Sequence, residues 1–224
     1  MSVSERQGER RLLVLLGLRL KAAAAPGALA ALWALPEPAV AAELVRAEEQ
    51  GQVERRDAAP VGWRLTPAGR AHGERLLAEA LERSGGRAAV EAAYARFLPL
   101  NAALLEICSA WQVRAPQGRL VVNDHQDAAY DRAVLVRLDR FVAAAGAWWP
   151  GLERALPRAG AHRRRFEAAA ERVGRGETSF VAAPLVDSVH TVWFEQHEDL
   201  LATLGRDRSE EAGAAGPGRS ARRK

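Results

Sequence analysis

Cysteine, lysine and long apolar runs are nearly absent from this sequence. The single cysteine, Cys108, excludes an internal disulfide and a zinc site built on cysteine pairs, which fits a reducing compartment. No stretch reaches the ~18 consecutive apolar residues of a transmembrane helix, so we expect no membrane span. The apolar run Leu12–Leu18 is short for a signal peptide and charged residues follow it, so we expect the protein in the cytoplasm.

A large excess of either charge is also missing, since the formal net charge is +4 over 224 residues. Residues 1–83 hold twelve basic and eleven acidic groups, residues 84–205 hold fourteen of each, and residues 206–224 hold six and three. The excess therefore lies in the last segment, which is rich in Gly, Ala and Arg. We expect this basic tail to be disordered, and to act in solubility or as a weak contact to nucleic acid.

The first third of the chain predicts three helices, a hairpin and a fourth helix. Apolar spacing predicts a first helix over residues 9–22, and Pro26 and Pro38 suit the first turns of two further helices. The short stretches QVERR and GWRLT flank the turn DAAP and predict a hairpin, and Val61, Trp63 and Leu65 alternate with polar or small residues as in a half-buried strand. Thr66 then suits an N-cap, and Pro67 suits the first position of a long helix that contains several leucines.

The stretch GWRLTPAGR resembles the W-x-L-T-x-x-G-R segment of winged helix-turn-helix regulators of the MarR and PadR-like groups. The resemblance covers residues 9–83, which are about a third of the chain. It implies a winged helix-turn-helix fold, binding to double-stranded DNA, and a homodimer on near-palindromic sites. It also implies that the third helix, the wing and the next helix contact DNA. The candidates for these contacts are Arg46, Arg55, Arg56, Arg64 and Arg70.

Acidic residues in the third helix weigh against DNA binding. Four glutamates accompany Arg46 there, namely Glu37, Glu43, Glu48 and Glu49. Carboxylates near DNA phosphates repel, and Arg46 alone matches base-reading chemistry. The wing arginines would then add phosphate contacts with little sequence reading. Two interpretations stay open: a DNA-binding regulator, or a winged helix that serves as a docking surface for another protein.

The stretch ERSGGR, residues 82–87, predicts a hinge at the start of the second part of the chain, residues 84–205, and every periodic stretch after it is helical. The spacing predicts six helices, near 87–98, 100–113, 127–146, 149–156, 160–174 and 182–204. Without alternating strand runs this part is an α-helical bundle. The whole chain is thus predicted as mainly α with a small β-hairpin wing. We expect a winged helix-turn-helix domain over 1–83, a helical sensing or interaction domain over 84–205, and a tail over 206–224.

Two of these helices place polar residues beside aromatic ones. The last helix has acidic, histidine and phenylalanine residues at spacings of three and four, beside an apolar row with a tryptophan. The helix over 100–113 has polar residues at spacings of seven and four. Such groups either bond to one another within a core or line a cavity that orients a small-molecule effector. The ligand-binding candidates are Asn101, Cys108, Trp111, Gln112, Asp187, His190, Trp193, Phe194 and His197.

The sequence carries no pattern typical of metal binding or catalysis. The two histidines of the last helix lie two turns apart, whereas helical metal sites prefer a spacing of four, so a metal would need Asp124 or His125 as well. Asp127 instead suits an N-cap, with Asn123 and Asp124 in the loop before it. Nucleotide, zinc-protease and nucleophile motifs are missing, and we expect no enzyme activity, no cofactor and no bound metal.

Overall fold

The computed structural model describes residues 3–57 and 61–207. Most of the predicted wing turn and the basic tail from residue 208 lie outside these ranges. The elements are α1 Val3–Lys21, α2 Pro26–Trp33, α3 Glu37–Glu49, β1 Val53–Arg56, β2 Gly62–Leu65, α4 Pro67–Ser84, α5 Arg87–Gln112, β3 Val113–Arg114, β4 Val121–Val122, α6 Ala128–Ala155, α7 Ala159–Gly174 and α8 Val189–Leu204. β1 pairs antiparallel with β2, and β3 with β4. The prediction of a mainly α fold with a small hairpin wing is confirmed.

Helices α1, α2 and α3 bury a shared apolar core that also supports the wing. Its innermost residues are Val14, Leu15, Leu18, Leu29, Val40, Leu44, Ala47 and Val53. Trp63 of β2 joins this core, and two backbone hydrogen bonds of 2.9 Å tie it to Ala24 between α1 and α2. The neighbouring Gly62 has a φ of +140°, and a Cβ there would lie 2.6 Å from the Ala24 carbonyl carbon. The junction of wing and helix corner therefore needs glycine.

The sequence TPAG, residues 66–69, explains how β2 leads directly into α4. Thr66 Oγ1 accepts a hydrogen bond from Gly69 N (3.1 Å) and donates one to the Gly51 carbonyl oxygen (2.7 Å). A Cβ on Gly69 would lie 1.8 Å from the Gln52 carbonyl oxygen, so only glycine lets α4 start this close to the wing. The predicted N-cap and the proline-started helix are confirmed.

Two predicted helix breaks, between residues 98 and 100 and between residues 146 and 149, are wrong, because α5 continues through Pro99 and α6 continues through Pro150. A proline removes the hydrogen bond to the carbonyl four residues earlier. Those residues, Ala95 and Gly146, are exposed like the prolines themselves, so water can hydrate their carbonyls. The opposite sides of both helices are buried in a common core, and this packing outweighs the local signal.

Two connections of the helical half also differ from prediction. β3 and β4, with Val113 opposite Val122, form a hairpin where only a loop was expected. Strands of two residues are too short to produce an alternating pattern. α8 begins at Val189 and not near residue 182, because Ser188 caps it by accepting a hydrogen bond from Thr191 N (3.2 Å).

Aromatic side chains fill the centre of the helical half, around Trp193 of α8. Its ring stacks on Phe97 with centroids 4.7 Å apart, and it meets Phe141 and Trp149 edge-on at 5.0 and 5.9 Å. Each such ring pair adds on the order of 1 kcal/mol beyond the burial of its area. α8 is therefore the central helix of this half.

The two halves of the chain share an apolar cluster. It consists of Leu12, Leu13, Leu16, Leu32, Trp33 and Leu77 from the first half, with Ala161 and Ala202 from the second. The predicted boundary near residue 84 thus lies at the turn between α4 and α5, and apolar packing joins the parts on either side of it.

Helix length and composition bear on membrane insertion. Within the described ranges, no single helix is long and apolar enough to cross a membrane. α2 and α3 reach the required composition only together, as a pair bent by 120°.

Candidate functional site

The arginines predicted to contact DNA lie on α3, the wing and α4, and three of them pair with glutamates. The pairs are Arg46–Glu43 (2.6 Å), Arg55–Glu48 (3.8 Å) and Arg64–Glu54 (2.6 Å). Arg55 also lies over the ring of Trp63, opposite it in the hairpin, at 4.8 Å from the centroid. Arg56 is half-buried, and Arg70 is exposed in the first turns of α4. A DNA phosphate would therefore have to compete with a carboxylate for each of Arg46, Arg55 and Arg64.

Glu43 differs from the other glutamates of α3 because it is fully buried. Arg11 of α1 donates to its carboxylate through Nε, and Arg46 donates through Nη2 (2.6 Å). Arg11 also donates from Nη1 to Gln50 Oε1 (2.7 Å) and Gln52 Oε1 (2.8 Å). Glu43 thus links α3 to α1. Because Glu43 is buried and paired, only the other three glutamates of α3 can present negative charge to solvent.

The solvent-facing side of α3 is apolar and acidic. Ala42 and Glu49 are exposed, and Val45 is 44% exposed. Alanine and valine offer neither a donor nor an acceptor to a base edge, whereas direct reading of DNA sequence needs hydrogen-bonding side chains. Arg46 stays the one base-reading candidate of this helix.

The structure separates the nine residues predicted to bind a ligand. Three line one groove: Asp187, His190 and Phe194. Four are buried: Cys108, Trp111, Trp193 and His197. Asn101 is half-buried and Gln112 is exposed, both on α5. The nine residues therefore do not share one cavity, and the buried four fit the core interpretation. Burial also raises the pKa of the Cys108 thiol to about 11, which makes it a poor nucleophile at neutral pH.

The groove lies between the two halves and encloses about 710 Å³, a volume typical of small-molecule sites. One wall comes from the end of α1, the α1–α2 corner and the wing, and includes Ala24 and Val61. The other wall comes from residues 184–195. Leu185 is 95% exposed and Phe194 is 43% exposed, so this wall presents large apolar side chains to solvent.

Four charged groups form a network along the groove. Arg165 of α7 donates to both oxygens of Asp187 (2.7 Å each) and to Glu195 Oε2 (2.6 Å). Lys21 Nζ lies 2.6 Å from Glu195 Oε1 and 3.3 Å from Asp187 Oδ1. The hydrogen bond from Arg165 lowers the pKa of Asp187 to about 2, so this carboxylate is ionised at neutral pH. Two cations balance two carboxylates, and the network joins α1 to α7 and α8.

His190 supplies an uncharged polar group to the same groove. Burial lowers the pKa of its imidazole below the usual range, so the ring is neutral at physiological pH. Among the residues that the structure describes, none hydrogen-bonds to its ring. A neutral imidazole can donate one hydrogen bond and accept another, which suits orientation of a bound molecule.

The sequence offered no signal for Lys21 and Arg165 in this site. Lys21 lies 166 positions before Asp187, and Arg165 lies 22 before it. Patterns of helical spacing relate residues within one helix, so they cannot pair side chains that distant segments bring together.

The loop before α6 is held by its own side chains. Asp127 caps α6 by accepting hydrogen bonds from Ala129 N (3.1 Å) and Tyr130 N (3.0 Å), which confirms the predicted N-cap. Asn123 Nδ2 donates to Asp131 Oδ1 (2.8 Å). In the described part of the chain, no three His, Cys, Asp or Glu side chains are grouped so that they could hold a metal ion.

Comparison with known proteins adds no family to this geometry. No family model, curated protein or solved structure matches the chain. The likeness to winged helix-turn-helix regulators therefore rests on the GWRLTPAGR stretch and on the order of helices and hairpin.

Proposed function

We propose that the chain is a cytoplasmic transcriptional regulator whose first half binds double-stranded DNA and whose groove binds a small-molecule effector. The groove carries this proposal, since one wall belongs to the half with the wing and the other to the helical half. A molecule between the walls contacts both halves. Its expected chemistry is an apolar body against Leu185 and Phe194, with a group that hydrogen-bonds to His190.

The ion pairs of the wing and α3 leave the arginines able to contact DNA. An exposed ion pair stabilises a protein by ~0–1 kcal/mol, so a phosphate can replace Glu48 or Glu54 at small cost. Glu43 keeps Arg11 as its partner when Arg46 turns away, so no buried carboxylate loses its last cation. The phosphate contacts would come from Arg46, Arg55, Arg56, Arg64 and Arg70. Because α3 offers little to base edges, we expect affinity with modest sequence preference.

The wing is the part of the first half on which a groove ligand would act. Ala24 in the groove wall is hydrogen-bonded in both directions to Trp63 of β2. Val61, which precedes β2, lines the same groove. An effector changes DNA affinity only if it binds one position of the wing more tightly than another. Contact with Val61 and Ala24 is where such a difference would arise.

Replacement of Arg55, Arg56 and Arg64 by alanine tests the role of the wing. We expect DNA affinity to fall by about tenfold or more, because phosphate contacts dominate it. Thermal stability should be unchanged, since surface substitutions of this kind alter it little. Fluorescence anisotropy with a labelled duplex measures the affinity.

A matched control removes the same positive charge from α6, through Arg132→Ala, Arg137→Ala and Arg140→Ala. All three side chains are exposed in the helical half. We expect this control to bind DNA nearly as well as the wild type. Equal affinity of the wing variant and the wild type would refute the DNA-binding proposal.

The exposed side of α3 favours a second function, the docking of another protein. Its apolar Ala42 and Val45 beside acidic Glu48 and Glu49 are unusual for a helix that approaches phosphates. Val45→Lys separates the two functions. The added cation should raise DNA affinity if α3 lies against DNA, whereas unchanged affinity would make docking the leading function.

We also propose a homodimer, because regulators with this arrangement read two half-sites related by two-fold symmetry. Size-exclusion chromatography with light scattering tests this point. The expected result is the mass of two chains, and the mass of one chain would contradict it.

A further inference from the structure

A second cleft, of about 370 Å³, lies elsewhere between the two halves. Its lining comes from α1, from the end of α2 and the residues after it, and from residues 157–164, which lead into and begin α7. Four arginines line it: Arg6, Arg10, Arg158 and Arg164. Glu9 is the single carboxylate among the lining residues. The cleft is therefore basic, in contrast to the balanced network along the groove.

Arg158 is fixed in this cleft by a buried partner. It donates to Asp199 through Nε (3.1 and 3.2 Å) and Nη2 (2.8 Å), and to Thr203 Oγ1 through Nη2 (2.5 Å). The charges of Arg158 and Asp199 cancel, and because Asp199 is fully buried it keeps the Arg158 guanidinium in place. The attraction for an anion must then come from the other arginines.

Arg10 and Arg164 are the cations whose charges are not balanced. Within the described ranges, neither has a side-chain hydrogen bond or an ion pair. The Nε of Arg10 is buried and lacks a hydrogen-bond partner among those residues. Buried donors are normally satisfied, and an unpaired one costs about 1–3 kcal/mol. Arg11 and Arg165, by contrast, each bind carboxylates.

The rest of the cleft is apolar. Leu13, Trp33 and Leu35 line it from the first half, and Pro157 and Ala161 line it from the second. Leu13, Trp33 and Ala161 are each less than 10% exposed, so Leu35 and Pro157 offer most of the apolar surface that the apolar group of a bound molecule would cover.

We infer that this cleft binds a small organic anion, with its carboxylate or phosphate between Arg10 and Arg164 and its apolar part against Leu35 and Pro157. Guanidinium groups bind carboxylates and phosphates through parallel, charge-assisted hydrogen bonds, which makes both groups suitable. The site is separate from the groove and does not require that the protein bind DNA. Because the cleft contacts both halves, an anion there would also bridge them.

Phenyl phosphate is a suitable probe, since it combines a phosphate with an apolar ring. We expect isothermal titration calorimetry of the full chain to show saturable binding that weakens at high salt. Inorganic phosphate and phenol, which each carry one half of the chemistry, should bind at least about tenfold more weakly. Binding of inorganic phosphate as tight as that of phenyl phosphate would overturn the apolar part of the inference.

The variants Arg10→Gln and Arg164→Gln test the two cations. Each should weaken phenyl phosphate binding by about tenfold, the usual effect of losing a charge-assisted hydrogen bond, with the far-ultraviolet circular dichroism unchanged. Arg140→Gln removes the same charge from an exposed position on α6 and should not affect binding. Absence of saturable binding by the wild type, or equal binding by the double variant, would overturn the site. Loss of DNA affinity in the double variant, with no phenyl phosphate binding by the wild type, would overturn it in favour of a nucleic-acid contact.

Discussion

Helices α3 and α8 each bury a carboxylate that is paired with an arginine, but α3 lies at the surface and α8 lies in the core. Each holds a buried carboxylate that an arginine of another element neutralises: Glu43 meets Arg11, and Asp199 meets Arg158. α3 leaves one side open to solvent, whereas within α8, all of which the structure describes, Phe194 alone is exposed. Buried charge thus marks where a helix is fixed. On these two helices, the surfaces left for partners are the open side of α3 and the groove beside Phe194.

The largest loss of stability is expected for Asp199→Ala in α8. Burial alone would raise the pKa of Asp199, but Arg158 and His162 hold it below the usual range, so the carboxylate is ionised in the fold. Removing it leaves Arg158 largely buried and unpaired, which costs about 3–5 kcal/mol of unfolding free energy. Denaturant unfolding measures this loss. Glu48→Ala on α3 is the matched control, and its unfolding free energy should stay within about 0.5 kcal/mol of the wild type. Equal losses in the two variants would contradict the predicted difference between the helices.

Gly69→Ala tests the close packing of α4 against the wing in the first half of the chain. Its Cβ would meet the Gln52 carbonyl oxygen at 1.8 Å, so α4 and the wing must separate, at about 3 kcal/mol of unfolding free energy. Gly73→Ala in the same helix meets nothing closer than Leu15 Cβ at 3.5 Å. That control should stabilise by up to about 1 kcal/mol, because alanine is the better helix former. Similar thermal midpoints for both variants would contradict the predicted contact.

Glu43→Gln tests the fixed side of α3. The amide keeps the shape but removes the charge that binds Arg11 and Arg46, so we expect a loss of about 2 kcal/mol in unfolding free energy. Glu49→Gln, on the open side, should change it by less than about 0.5 kcal/mol. Urea unfolding of both variants at neutral pH measures the two changes. A loss of stability in Glu49→Gln as large as in Glu43→Gln would show that α3 has no open side.

The smallest effect is expected at the groove, for Asp187→Asn. The pKa of Asp187 is lowered to about 2, chiefly by its hydrogen bond from Arg165, so its ionised form contributes stability above pH ~4. That contribution is lost as the pH falls towards ~2, and the difference between wild type and variant should shrink over this range. Because the side chain is 47% exposed and screened by water, the difference should stay below about 1 kcal/mol. Urea unfolding at several pH values measures it, and a difference that grows towards acid pH would contradict the assignment.

Much of the first half could be predicted because its signals are local. Thr66, Pro67 and Gly69 act within one turn of helix, and the apolar residues of β2 alternate with exposed ones next to a short turn. The helices of the second half were harder to predict. Prolines such as Pro99 and Pro150 normally end a helix, but here packing in the tertiary core lets both helices continue. The two-residue strands β3 and β4 are too short for any pattern.

The groove was predicted only in part. One helical row placed Asp187, His190 and Phe194 together, and the structure keeps them on one wall. Their charged partners Lys21 and Arg165 come from other helices, so no spacing could reveal them. For Cys108 and Gln112 the spacing on α5 predicted a shared site that does not form. The structure places Cys108 in the core and Gln112 at the surface.

The affinity of the wild-type chain for labelled duplexes at increasing salt, measured by anisotropy, tests the central claim most directly. One duplex should come from the region upstream of its own gene, and the other should be unrelated. Five arginine contacts predict a slope of about −4.5 for the logarithm of affinity against the logarithm of salt concentration, with modest preference for the first duplex. No binding at low salt, or binding that does not change with salt, would contradict a DNA-binding wing and favour α3 as a docking surface.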